Sequence, residues 1–219
     1  MKYIAIFTLA LSLTVCSSVK TAKEPFSVEL NSVRLPAGTV DAQFDRFLFI
    51  GGLKKDNITV EYFPREDAVC LQYRKDFITY YQFWDNDARD AFLTALGKYK
   101  EDYTTRKLGK GGRKTKRNYG SVESYLIWQS SSFTVQAKAP MNIEMGYFFK
   151  DNAPFFTINQ GEADYEDPVT RDSNRTSQEI TIYFTRAQAD NLAALFDPYY
   201  LRGLITTDIG TTNVELDEY

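Results

Sequence analysis

The stretch Phe77–Tyr103, FITYYQFWDNDARDAFLTALGKYKEDY, reads as an apolar strand running directly into an amphipathic helix. Ala88, Ala91, Phe92, Ala95, Leu96, Tyr99 and Tyr103 recur at i, i+3, i+4, i+7, i+8, i+11 and i+15, which sets them on one helical face. Taking Phe92, Leu96 and Tyr99 out of water contributes roughly 1.5–3 kcal/mol each, so the helix is expected to act as a lid on a sheet. Asp85 or Asn86 can cap its first turn, and Asp87 and Asp90 lie near the positive end of its dipole. The other use of such a stripe is a groove for a partner, but amphipathic helices ordinarily bury that face in their own core.

A similar pattern returns one hundred residues later. Ile180–Phe196, ITIYFTRAQADNLAALF, is again a strand followed by a helix, with Thr185 and Gln188 spaced as a capping box. Aligning Phe83 with Tyr183 also aligns Trp84 with Phe184, Asp85 with Thr185, Phe92 with Leu192 and Leu96 with Phe196. A duplicated strands-then-helix module would produce this likeness. So would any two strand-to-helix junctions, because each needs an apolar run and a cap, and the sequence leaves both readings open.

Around these two units lie short runs rich in aromatic and branched residues: Phe44–Ile50, Ile58–Phe63 and Val69–Tyr73, then Val122–Trp128, Phe133–Ala139, Ile143–Phe149 and Phe155–Asn159. Ile58, Val60 and Tyr62 alternate with Thr59, Glu61 and Phe63, so one side of that run faces a core. Adjacent short strands without helical crossovers pair antiparallel, so the expected class is α+β, with antiparallel sheets of about eight to nine strands and two amphipathic helices. An outer-membrane barrel is disfavoured, because Asp217 and Glu215 stand where a closing strand would carry lipid-facing apolar residues.

The chain opens MKYIAIFTLALSLTVCSS: a positive start at Lys2, an uncharged apolar core from Tyr3 to Val15, then small polar residues. This is the pattern of a signal peptide over residues 1–18, and the apolar core is shorter than the roughly 20 residues of a membrane span. Leu13-Thr14-Val15-Cys16 resembles the lipobox of bacterial lipoproteins, with a departure at Val15, where the family carries a small residue. The resemblance covers only these first eighteen residues and implies that Cys16 is acylated and becomes the lipid attachment site. Cleavage near Ser17 or Ser18, which discards Cys16, satisfies the same small-residue rule. Either way, export to the cell envelope, lipid-anchored or periplasmic, is the expectation. Cys70 is then the one thiol left, so no intramolecular disulfide framework is expected and stability must come from an ordinary core.

The expected organisation is a polar tether over 19–36, a globular domain over 37–205 and an acidic tail over 206–219. The domain would consist of two halves, 37–105 and 118–205, joined by a basic linker over 106–117. That linker, RKLGKGGRKTKR, carries Arg106, Lys107, Lys110, Arg113, Lys114, Lys116 and Arg117 and no acid. With a whole-chain charge of −3, the remainder carries −10 once these seven cations are set aside. It is not a phosphate-binding loop, since the required lysine position is Arg113 and no strand leads into it. In an exported protein nucleic acid is not an expected partner, which leaves an anionic envelope component or envelope protein, or simply a solvated loop.

The chain contains no histidine, which excludes Ser-His-Asp and Cys-His nucleophiles and histidine-held zinc. The acidic run Glu162–Asp167 does not match the spacing of a calcium loop, so no metal and no cofactor is expected. A noncatalytic binding or assembly module of the envelope is therefore the first reading, and a soluble periplasmic or secreted carbohydrate- or peptide-binding protein the second. A glycan hydrolase is the third, and it would need a cleft with two facing carboxylates, one of raised pKa.

Overall fold

Strands that alternate apolar and polar residues need a place to bury one face, and here they find it by closing on themselves. A computed structural model describes residues 28–46, 52–109, 117–130, 137–150, 152–165 and 175–216. In it β1 (Leu35–Asp45), β2 (Leu53–Phe63), β3 (Ala68–Lys75) and β4 (Ile78–Trp84) lead into helix α1 (Asn86–Thr104). Then β5 (Arg117–Ser130), β6 (Ala137–Lys150) and β7 (Ala153–Gln160) follow, and a side hairpin of β8 (Asp164–Tyr165) and β9 (Arg175–Thr176). The chain ends with β10 (Ile180–Phe184), α2 (Arg186–Leu195) and α3 (Pro198–Leu216). Among the described residues eight of the strands form a closed antiparallel barrel in the order β1-β10-β7-β6-β5-β4-β3-β2. The expected α+β antiparallel class is observed, in closed form and with a third helix.

Four barrel strands followed by a helix thus occur twice in succession. Trp84 and Phe184 end the fourth strand of each unit, and Asp85 and Thr185 cap the helices. Asp85 Oδ1 accepts from the Ala88 N–H at 2.9 Å, while Thr185 and Gln188 form the reciprocal box, at 3.3 Å and 2.8 Å. Phe92 and Leu192, and Leu96 and Phe196, are all buried.

Three details differ from the sequence reading, each for a local reason. Strand β1 begins at Leu35, well before Phe44, because a bulge between Pro36 and Gly38 shifts the buried set from Leu35 and Ala37 to Val40, Ala42 and Phe44 and so hides the period. Gly38 takes φ +146° there, and a Cβ on it would meet both Leu195 methyl carbons at 3.3 Å. The runs Phe133–Ala139 and Ile143–Phe149 share one strand, β6, with Phe133–Gln136 outside the described residues. Pro140 does not interrupt it, because β7 pairs with β6 only from Ile143 onward and no second ladder needs the missing N–H. Finally, α3 continues through Thr206 to Leu216, across the stretch expected as an acidic tail. Asp197 Oδ1 caps it, accepting from the N–H groups of Tyr199 and Tyr200 at 2.8 and 3.0 Å.

The barrel interior is filled by Val40, Ile58, Val60, Leu71, Leu126, Ile143, Ile158 and Ile182 among others. Helix α1 lies across one end, where Phe92 meets Trp84, Phe156 and Phe196 at ring distances of 5.9, 5.6 and 5.0 Å. The closing seam is staggered: Gln43 and Phe44, late in β1, lie opposite Tyr183 and Ile182, late in β10. The earlier half of β1 is therefore covered by α2 and α3, and the Tyr200 hydroxyl donates to the Ala37 carbonyl at 2.6 Å. Outside the seam Asp45 accepts from Lys150 Nζ at 2.8 Å and from the Tyr183 hydroxyl at 2.9 Å.

A second, smaller core lies on the outside of the barrel. Phe63, Ala68, Cys70, Phe83 and Ile127 point outward from β2–β5 and are covered by Val28 and Leu30, in the segment expected as tether. Glu29 pairs with Lys138 at 3.1 Å and Arg34 with Glu61 at 3.3 Å, which holds this strap across the strands. Many other outward positions are polar, as at Lys55, Asn57, Thr59 and Glu61 on β2 and Lys138, Asn142 and Glu144 on β6, while Phe148, Phe155 and Tyr183 form a small aromatic cluster on the outer face. A lipid-facing barrel has the reverse arrangement, with its apolar band outside. No described helix is long and apolar enough to cross a membrane.

Candidate functional site

The end of the barrel away from α1 carries a mouth, and it is built from strand ends. At the tip of β3 and β4, Lys75 pairs with Ile78, so Asp76 and Phe77 form a two-residue hairpin turn. Both take positive φ, 50° and 67°. Such turns favour Asn-Gly because a Cβ at positive φ crowds the backbone, at a cost of about 1–2 kcal/mol for an ordinary side chain. Phe77 bears that cost with its ring 75% exposed, so packing does not offset it. On β2, Lys54 and Asp56 lie on the same inward-facing alternation as Ile58, and Lys54 Nζ reaches Asp56 Oδ2 at 3.0 Å.

Lys54, Asp56, Arg74, Asp76, Phe77 and Gln178 line a cavity of about 840 Å³. Two cations, two carboxylates, an amide and an exposed ring converge there. Burial alone would raise the Asp56 pKa, but the Lys54 hydrogen bond and charge and the Asn57 backbone N–H outweigh it, so the carboxyl lies below its ordinary range. Phe44, Tyr73 and Tyr80 form a ring stack in the barrel interior, with successive centroids 5.5 Å apart.

Close to that stack, buried polar groups form a chain inside an otherwise apolar barrel. Gln160 Nε2 donates to the Gln178 carbonyl at 3.3 Å, and its Oε1 accepts from the Tyr73 hydroxyl and, at 3.5 Å, from Gln82 Nε2. Gln82 Oε1 accepts from Trp84 Nε1 at 2.9 Å, which carries the chain to the helix-covered end. The exception is Tyr80. Its side chain is fully buried, and among the described residues its hydroxyl meets the Gln178 backbone N–H without reaching the geometry of an ordinary hydrogen bond. Burial pushes its pKa up to about 12, the Asp76 charge adds to the rise, and the Gln178 backbone opposes it. The hydroxyl thus sits within the influence of Asp76 and Gln178, two residues of the mouth, while Tyr80 itself does not line the cavity.

The residues singled out from sequence lie elsewhere. Arg106 and Lys107 are exposed just past α1, at the opposite end of the barrel from the mouth, and Arg117 opens β5 on that side. Lys110, Arg113, Lys114 and Lys116, and the expected lipid attachment site Cys16, lie outside the described residues. Cys70 is buried under the strap, and that burial, with the Glu61 charge, holds its thiol well above the usual range. Of the acidic run, Glu162 contributes with Asn142, Glu144, Asn159, Gly161 and Glu179 to a shallow outer pocket of about 430 Å³. No group of acids or thiols among the described residues is arranged to hold a metal ion.

None of the six mouth residues stood out in the sequence. Phe77 reads as the first residue of an apolar strand, and only its place as the second of two residues between Lys75 and Ile78 marks it as a turn residue of the wrong kind for the turn. Lys54, Asp56 and Gln178 carry no signal, because their convergence depends on barrel closure.

Residues 29–202 match the model of a family described as "Uncharacterised Treponema protein". No curated protein matches the chain, and no solved structure matches it.

Proposed function

The chain belongs to this family of uncharacterised Treponema proteins, and from the barrel's geometry we propose that it is a noncatalytic binding module of the cell envelope, holding a small polar ligand at the open mouth. The observation that carries this reading is the exposed, strained Phe77 on the lip of a cavity rimmed by charge and amide groups. Backbone strain collects at binding sites and ligand clamps, and here it is held at an aromatic residue mostly open to solvent. The cavity volume lies in the range of small-molecule sites, and pockets of this kind occur at the mouths of barrels.

Asp56 and Asp76 share the mouth, which makes the hydrolase reading worth weighing. A general acid needs a carboxyl of raised pKa, and Asp56 is shifted the other way by Lys54. That supports binding over hydrolysis. In the same proposal the signal peptide directs export and Cys16 anchors the chain to the membrane. The basic segment from Arg106 to Arg117, of which Arg106 and Lys107 lie exposed at the helix-covered end, meets an anionic envelope component or envelope protein in this proposal.

Two measurements test these elements. Amide shift mapping with a mixed small-molecule panel of sugars, dipeptides and organic acids should perturb Lys54, Asp56, Arg74–Phe77 and Gln178. Perturbations confined to the α1 end would overturn the mouth as the site. The mass of the N-terminal peptide should show acylated Cys16, and a free N-terminus beyond it would overturn the anchor.

A further inference from the structure

We propose that the mouth takes an extended peptide segment of no net charge, which adds as a strand to the free edge of β2 where β3 has parted from it. This deepens the binding reading above and rests on it. The β2–β3 ladder ends at Thr59 and Gln72, while β2 stays paired to β1 as far as Leu53 and β3 to β4 as far as Lys75. Among the described residues Leu53–Ile58 therefore has a strand on one side only, leaving an edge of about 20 Å at about 3.3 Å per residue. The cavity lies in that parting: Lys54 and Asp56 come from one bank, and Arg74, Asp76 and Phe77 from the other.

The register shows which backbone groups this edge offers. The Arg46 N–H donates to the Gly52 carbonyl at 3.4 Å, so that pair is of the hydrogen-bonded kind, and alternation makes Phe44–Lys54 and Ala42–Asp56 the same. Leu53, Lys55 and Asn57 then turn their N–H and C=O groups away from β1, toward the side that β3 has left. The Asn57 N–H meets Asp56 Oδ1 at 3.0 Å, and the other groups face no described strand. An added strand gains affinity from main-chain bonds of this kind and specificity from its alternate side chains. Here those side chains enter the cavity between the two banks, and Phe77, 75% open to solvent, covers an apolar one at the lip. Two cations and two carboxylates give the mouth no net charge, so the segment it fits carries none. A second copy of this chain is the competing strand. Its own β2 comes with β1 attached, which would fall in the space that β3 holds on the far bank, whereas a lone peptide strand is open on both flanks.

The test is enrichment on the immobilised whole chain from a mixture of capped hexapeptides of zero net charge, then calorimetric titration of the chain in solution with the enriched peptide. That peptide is expected to bind. N-methylation at alternate amides should lower its affinity on the order of tenfold or more, and at the amides between should leave it unchanged, since only every second N–H of an added strand faces β2. Lys55→Pro removes one edge N–H and leaves the β1 ladder intact, and edge strands accept proline, so this variant should fold and bind on the order of tenfold more weakly. Phe77→Gly should weaken binding as well, and Lys138→Ala, on the strap face, should bind as the parent does.

Should the melting curve show Lys55→Pro unfolded, the N-methyl series on the parent chain decides alone. Equal sensitivity at every amide, or at none, would overturn strand addition. No binding by any hexapeptide at millimolar concentration would overturn the peptide class, and neutral oligosaccharides bound in their place, with loss in Phe77→Gly, would do so while keeping the mouth as the site. Peptide binding that Lys55→Pro and Phe77→Gly both leave unchanged would overturn the mouth, and with it the binding reading on which this inference rests.

Discussion

Tyr99 beneath the helical lid and Tyr80 in the barrel interior toward the mouth are both buried phenols whose pKa is pushed up to about 12, chiefly by burial. Tyr99 donates to the Pro154 carbonyl at 3.0 Å, whereas among the described residues the Tyr80 hydroxyl makes no hydrogen bond of ordinary geometry. The two ends of the barrel differ in the same way throughout. At the helix-covered end Trp84, Phe92, Tyr99, Phe156 and Phe196 interlock ring against ring. At the mouth, charges and amides sit around an exposed ring on a strained turn. One end is arranged to hold the fold together, and the other leaves interactions unmade.

The sharpest way to break this contrast is at the lid. Phe92→Ala should destabilise by about 3–5 kcal/mol and Leu96→Ala by about 2–5 kcal/mol, read as a fall in the urea midpoint. A loss below about 1 kcal/mol at both positions would mean that the α1 face is not the core's closure. Next in size is the seam, where β1 and β10 are staggered and Asp45 ties Lys150 to Tyr183. Asp45→Ala should cost about 1–2 kcal/mol, since it removes two hydrogen bonds at a partly exposed carboxylate.

The matched tyrosines test the comparison directly. Tyr99→Phe should cost about 1 kcal/mol, because it leaves the Pro154 carbonyl without its donor, whereas Tyr80→Phe should change stability by less than about 0.5 kcal/mol or raise it. Equal losses at the two positions would remove the distinction between the ends. Both phenols share one pH signature. Their folded pKa lies above the unfolded value near 10, so each stabilises the fold fully below about pH 10, and that contribution is lost as pH rises through about 12. Tyrosinate absorbance in an alkaline titration should therefore show late ionisation, and each Phe variant should remove one late-ionising group.

How much of this was legible in the sequence divides along the same line. The lid could be read, because Phe92, Leu96 and Tyr99 repeat at helical spacing and Asp85 caps the turn before them, all within one stretch of chain. The repeat at Thr185 and Phe196 was legible for the same reason. Closure could not be read: the β1–β10 seam joins residues about 140 positions apart, and a bulge at Gly38 breaks the period of β1. The mouth was hidden altogether, since Lys54, Asp76 and Gln178 meet only once the barrel has closed. Arg106 and Lys107, which open the basic run that stands out by composition, lie at the other end.

The smallest expected effect bears most directly on the mouth. Replacing Phe77 by glycine removes strain of about 1–2 kcal/mol and adds about 0.5–1 kcal/mol of unfolded-chain entropy, so stability should stay level or rise by less than about 1 kcal/mol. Any ordinary packing role for the ring would give the opposite sign, because its removal would expose apolar surface that it now covers. A melting temperature that falls in Phe77→Gly would therefore place the ring among the residues that hold the fold. One that holds or rises, together with weakened ligand binding, would mean that the turn keeps a phenylalanine at a cost to stability, as a ligand platform requires and a structural hairpin does not.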